Sequence, residues 1–233
     1  MVSASTGASG GTRMAGIKGF VLTAVTVVAV TCAAGCGART ADYSAFVTSS
    51  ATSTETEQDS SAPPTPIAQH LASAGVTGQQ IALDKLTDLT VTLPRPAGWT
   101  TYENPNFSPG TEAIAKNNNY PTALLMVFKL DGNFDVPAAL EHADDSAEIS
   151  KNFAKLNSSS ADFKGFPSSM VEGTYDLNET RLHTYNRVVI PATPAPEFQR
   201  YLIQLTVTTL ANQAATQAPD VEKIISGFDV AVK

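Results

Sequence analysis

The stretch Ala123-Leu124-Leu125-Met126-Val127-Phe128 constrains the fold more than any other. It is apolar on both alternating faces, so a strand there needs packed cover on each side. Its neighbours differ. Leu89-Thr90-Val91-Thr92-Leu93 alternates strictly, and between Gln199 and Thr209 the residues Tyr201, Ile203, Leu205 and Val207 oppose Arg200, Gln204, Thr206 and Thr208. Such alternation predicts strands with one buried face, and the four apolar residues should enter a single layer. Residues 171–177 and 181–190 flank a tight Asn178-Glu179 turn and read as an antiparallel hairpin. Pro94 and Pro96 end the first strand, since neither can continue a ladder.

Cover for both faces comes from helices. Ile67, Leu71 and Ala74 have helical spacing and stop at Gly75. Asp135 is an N-cap before Val136-Pro137, which predicts a helix through Leu140, Ala143 and Ala147 to about residue 153. A third helix should follow Ala218-Pro219-Asp220, burying Val221, Ile224, Ile225 and Phe228 and ending at Gly227. The order helix, strands, helix, strands, helix implies an α+β fold, with an antiparallel sheet flanked by helices on both faces.

The first third of the chain carries a different message. Phe20 to Ala34 is fifteen residues without a charge, preceded by Arg13 and Lys18. This is the pattern of a secretory leader, and it falls short of the roughly 20 residues a membrane-spanning helix needs. A start at Met14 gives a compact leader with Lys18 as its charge. Ala34-Gly35-Cys36 resembles a lipobox, in which the cysteine thiol becomes thioether-linked to diacylglycerol and the preceding bond is cut. Cys32 follows Thr31, a poor cleavage residue, so Cys36 is the expected lipid attachment. Residues 37–66 are Ser-, Thr-, Ala- and Pro-rich and too poor in large apolar side chains to fold. As a flexible tether they would span ~30 Å. Residues 67–233 then form one globular domain.

The processed chain loses Arg13 and Lys18 from its 15 basic residues and none of its 22 acidic ones, leaving 13 against 22 and a net charge of −9. Such a balance repels nucleic acid and anionic surfaces. With Cys32 removed and Cys36 acylated, the folded part has no thiol for a disulfide, a nucleophile or a metal site.

Four short motifs add a resemblance. Leu93-Pro94-Arg95-Pro96-Ala97-Gly98-Trp99, Lys129-Leu130-Asp131-Gly132-Asn133, Gly165-Phe166-Pro167 and Val188-Val189-Ile190-Pro191, in this order after a lipobox, resemble the mycobacterial LpqN/LpqT lipoprotein family over residues 65–230. The resemblance implies a Mog1/PsbP-like α/β/α sandwich and an exported, lipid-anchored location at the cell membrane, facing the envelope. It implies no established reaction and no cofactor.

Catalytic patterns are sparse. There is no Gly-x-Ser-x-Gly elbow, and His70, His142 and His183 are scattered. Glu141, Asp144, Asp145 and Glu148 could attract a divalent cation, but a solvated helix face accounts for them, since adjacent helical positions diverge. Aromatic residues in irregular segments are the stronger signal. Trp99 reads first as a plug at the core edge. Tyr102, Phe107 and Tyr120, among Asn, Pro and Glu103, are surplus to folding and form with it the candidate ligand-binding set. The expected function is a non-enzymatic binding module for an envelope glycolipid, another lipid or a partner protein. The alternative is a hydrolase or transferase acting on envelope lipid.

Overall fold

In the computed structural model of the chain, residues 63–233 are described. Cys36, the leader and all but the last residues of the tether fall outside them. Helix α1 (Ile67–Ser73) leads into strand β1 (Thr77–Gln80), and a 3-10 turn at residues 83–85 precedes β2 (Leu89–Thr92). Next come β3 (Trp99–Thr101), β4 (Glu112–Lys116), the long β5 (Asn119–Asp131), and the short helices α2 (Val136–Leu140) and α3 (Asp145–Glu148). Strands β6 (Ala154–Ser159), β7 (Ser168–Leu177), β8 (Thr180–Val189) and β9 (Arg200–Leu210) precede α4 (Ala214–Gly227) and β10 (Asp229–Val232).

Seven strands hydrogen-bond in the order β3-β4-β5-β9-β8-β7-β6, and β1 pairs with the far half of β5 as the eighth. Every pairing is antiparallel. The expected antiparallel α+β sandwich is therefore the fold, with the apolar Ala123–Phe128 stretch between β4 and β9. Strand β2 leaves the main sheet and pairs with β10.

The sheet's first face holds Ala123, Leu125 and Val127 of β5 with Tyr201, Ile203, Leu205 and Val207 of β9, covered by Val221, Ile224 and Phe228 at α4. The four β9 residues share this layer, as their alternation predicts, and each is at most 2% exposed. Tyr201 donates its hydroxyl to Asp88 at 2.6 Å, which ties β9 to the start of β2. Burial first, and then this bond, push the Tyr201 pKa well above the usual phenol value.

On the second face, α1 and α2 cover one end: Ile67, Leu71 and Ala139 pack with Leu130, Val188 and Leu202. The other end carries Tyr102, Ala113, Ala115 and Leu124 with Phe107 against them.

Three local expectations need correction. The helix from Asp135 starts as expected, with the Asp135 side chain accepting from the Ala138 N–H at 2.8 Å, but it breaks after Leu140. Its acidic residues find tertiary partners instead: Asp144 accepts from Ser169 and Lys155, and Asp145 from the Thr65 N–H. Polar side chains that bond elsewhere weaken a helix. The chain then forms β6, an edge strand no alternation announced, because its residues are exposed on both faces apart from Ser159. Helix α4 begins at Ala214 and carries Pro219 inside it, whereas the sequence suggested a start beyond that proline. Burial of Val221, Ile224 and Phe228 outweighs the backbone hydrogen bond that Pro219 cannot donate.

Candidate functional site

The middle of the second sheet face lies between its two apolar clusters, and it is polar. Cross-strand register aligns Thr122, Thr208 and Thr184 in one row, Leu124, Thr206 and Asn186 in the next, and Met126, Gln204 and Val188 in the third. Side chains in such rows are direct neighbours. Thr206 Oγ1 donates to Asn186 Oδ1 at 2.8 Å, and Asn186 Nδ2 donates to Thr184 Oγ1 at 3.2 Å. Thr208 Oγ1 is fully buried and has no hydrogen-bond partner among the described residues. A buried hydroxyl without a partner costs about 1–3 kcal/mol. Met126, Asn186, Gln204 and Thr206 are half-buried, and the Gln204 amide makes no hydrogen bond among the described residues.

The link between α2 and α3 stands at one side of this floor. Ser169, the cross-strand neighbour of Val188, donates to Asp144 Oδ1 at 3.1 Å. Burial holds the Asp144 carboxyl above its ordinary pKa, although Lys155 and Ser169 pull the other way. The imidazoles of His70 on α1 and His142 stack with ring centres 4.2 Å apart, and His142 Nδ1 lies 2.8 Å from Asp145. His183 pairs instead with Glu172 at 2.9 Å. Ser169 thus has, among the described residues, an acid but no imidazole, and His142 and His183 have acids but no serine. Among the described residues, no group of three or more metal-ligating side chains converges; Asp144, Asp145 and Glu148 make contacts within the fold.

The four aromatics of the expected ligand set do not gather in one place. Trp99 is 4% exposed in the core of the first face, and its indole N–H donates to Asp220 of α4 at 3.3 Å. It is the plug its position suggested. Tyr102 and Phe107 meet edge to face at 5.8 Å on the second face. Tyr102 is also 4% exposed, so its side chain is part of a small core, and the expectation that it is surplus to folding is corrected. Tyr120 is half-buried where β5 begins, beyond the Asn117-Asn118 turn. The floor residues Thr184, Asn186, Gln204, Thr206 and Thr208 were legible as polar positions on alternating strands. That pattern reads as a solvated face, and only the register shows that it runs between two apolar clusters.

The antiparallel α/β/α sandwich is the class of fold to which this chain belongs. The crystal structure of LpqN, a Mycobacterium tuberculosis protein whose structure is described as involved in cell envelope biogenesis, shares that fold. It superposes with a TM-score of 0.63 at 18% identity, covering 74% of this chain and 99% of that one. The chain belongs to the family described as "Probable lipoprotein LpqN", which matches residues 63–231. A lipoprotein named LpqT from Mycobacterium tuberculosis strain H37Rv is 50% identical over 217 residues, covering 91% of this chain and 93% of the relative. The LpqT lipoprotein of Mycobacterium leprae is 48% identical over 212 residues, with 91% and 96% covered. Membership in this family places the chain among lipoproteins. No described helix is long and apolar enough to cross a membrane.

Proposed function

We propose that the chain is exported, lipidated at Cys36 after removal of residues 1–35, and held by a tether of residues 37–66. Its domain acts as a non-catalytic binding module facing the envelope. The ligand is an amphipathic envelope lipid or glycolipid. It lies along the second sheet face, with its apolar part against the Tyr102–Phe107–Leu124 cluster and its polar part on the hydrogen-bonded chain Thr206–Asn186–Thr184. The Thr208 hydroxyl, buried across from Thr184 and without a hydrogen-bond partner among the described residues, carries this reading. A ligand hydroxyl or carbonyl would satisfy it, and an all-apolar ligand would not. The separate pairing of Ser169 and of the histidines supports binding over hydrolysis.

The test uses monolaurin below its micelle concentration. The full chain should bind it in a calorimetric titration. Gln204→Trp, which fills the floor from a half-buried position, should weaken binding at least about tenfold while shifting Tm by only a few degrees. Equal binding by the variant, or none by the parent chain, would reject this site.

A further inference from the structure

A second surface stands out at the end of the sheet where β5 finishes and β9 starts. A cleft of about 300 Å³ opens there between the β5–α2 link and the β8–β9 loop, lined by Asp131, Asn133, Glu197, Phe198 and Arg200 among others. Phe198 is 66% exposed, and its backbone sits at φ +46°. Left-handed backbone is costly for a bulky side chain, and strained residues gather where a site needs them. The loop holds it firmly: Phe198 N–H donates to Pro194 O at 3.3 Å, Thr193 N–H to Gln199 O at 2.9 Å, and Gln199 N–H to Thr193 Oγ1 at 2.9 Å.

The cleft floor is equally built. Arg200 stacks over the Phe134 ring at 5.0 Å and donates to Phe134 O at 3.0 Å, which fixes the guanidinium. Gln199 Nε2 donates to Leu130 O at 2.7 Å and to Arg200 O at 2.8 Å. The side chains of Asp131, Asn133 and Glu197 have no hydrogen bond or ion pair among the described residues. Folding therefore accounts for the floor and leaves the rim polar groups and the phenyl ring unused.

We propose that this cleft is a saccharide-binding site, in which Phe198 stacks on the apolar C–H face of a sugar ring while Asp131, Asn133 and Glu197 bond its hydroxyls. The chemistry selects this class. Hydroxyls both donate and accept, and the rim supplies carboxylate acceptors, an amide that does both, and the remaining guanidinium donors of Arg200. A cationic ligand would face Arg200 in the floor. An acyl chain would desolvate an almost wholly polar lining. The site is distinct from the proposed lipid groove: Arg200 and Thr206 lie on one strand about 20 Å apart at ~3.3 Å per residue, with the α1–α2 cluster covering the face near the β9 start.

The test is saturation-transfer difference NMR on the full chain in lipid nanodiscs, with methyl α-D-glucopyranoside and methyl α-D-mannopyranoside as probes and mannitol as the open-chain control. Ring protons of at least one pyranoside should be saturated and mannitol should not. Phe198→Gly should weaken that binding about tenfold with Tm unchanged or raised, because glycine relieves the positive φ. Asp131→Asn should weaken it as well, while Gln204→Trp should leave it intact and so separate this site from the groove. No pyranoside signal at about 20 mM of probe, well above a weak-site Kd of ~1 mM, or equal signal from Phe198→Gly, would overturn the proposal. A Phe198-dependent contact with another protein in place of sugar would overturn it too.

Discussion

At the scale of single residues, the side chains that stand between elements decide more than those within them. Gly173 is an example: a Cβ there would meet the Phe153 ring at 2.5 Å, so only glycine lets the end of the α3–β6 link close over β7. Asp220 is another, since one carboxylate joins α4 to Lys116 of β4 at 2.8 Å and to the Trp99 indole at 3.3 Å. The Lys116 bond, and after it the Trp99 bond, hold the Asp220 carboxyl below the usual range. A carboxylate with a lowered folded-state pKa contributes stability that is complete above its unfolded value of about 3.9 and is lost as pH falls through the folded value. Urea titrations between pH 2 and 6 should therefore show a shallower acid decline for Asp220→Asn than for the parent chain. Parallel declines would assign the acid sensitivity to other groups.

At the scale of elements, the strands with one apolar face were the most legible part of the chain, and β9 shows why. Period-two alternation survives folding because the sheet buries one face of each strand, and Leu205 sits 1% exposed between Leu125 and Arg187 of its neighbours. Leu205→Ala should cost about 2–5 kcal/mol and lower Tm by roughly 10 °C, read by calorimetry. A shift within two degrees would mean that the layer collapses around the gap. Where local pattern and tertiary contact disagree, the sequence misleads. Residues 141–153 look helical in spacing, yet Asp144 and Asp145 are recruited by Ser169 and Thr65, and β6 pairs along β7 with hardly a buried side chain. The same limit hid the candidate groove. Thr184, Asn186 and Thr206 look solvated one strand at a time, and their hydrogen-bonded row exists only across β8 and β9.

At the scale of the whole molecule, charge and anchor act together. The described domain presents no membrane-spanning helix, and the processed chain would carry 13 basic against 22 acidic residues. Surface attraction to anionic lipid gains about 1 kcal/mol for each clustered Lys or Arg near the headgroups, and this composition reverses that sign. The acyl chains proposed on Cys36 would then supply the hold on the bilayer that the described domain does not, and two or more chains are enough for stable anchoring. Two outcomes follow. Membrane retention of the parent chain should survive 1 M salt, which screens charge to within about 3 Å but leaves acyl burial intact. Cys36→Ala should move the protein quantitatively from the membrane pellet to the soluble fraction, and mass spectrometry of the parent N-terminus should find a diacylglyceryl adduct on Cys36. A pelleting Ala variant would show that another segment holds the membrane, with the uncharged Phe20–Ala34 run, left uncleaved, as the part to test next by deletion.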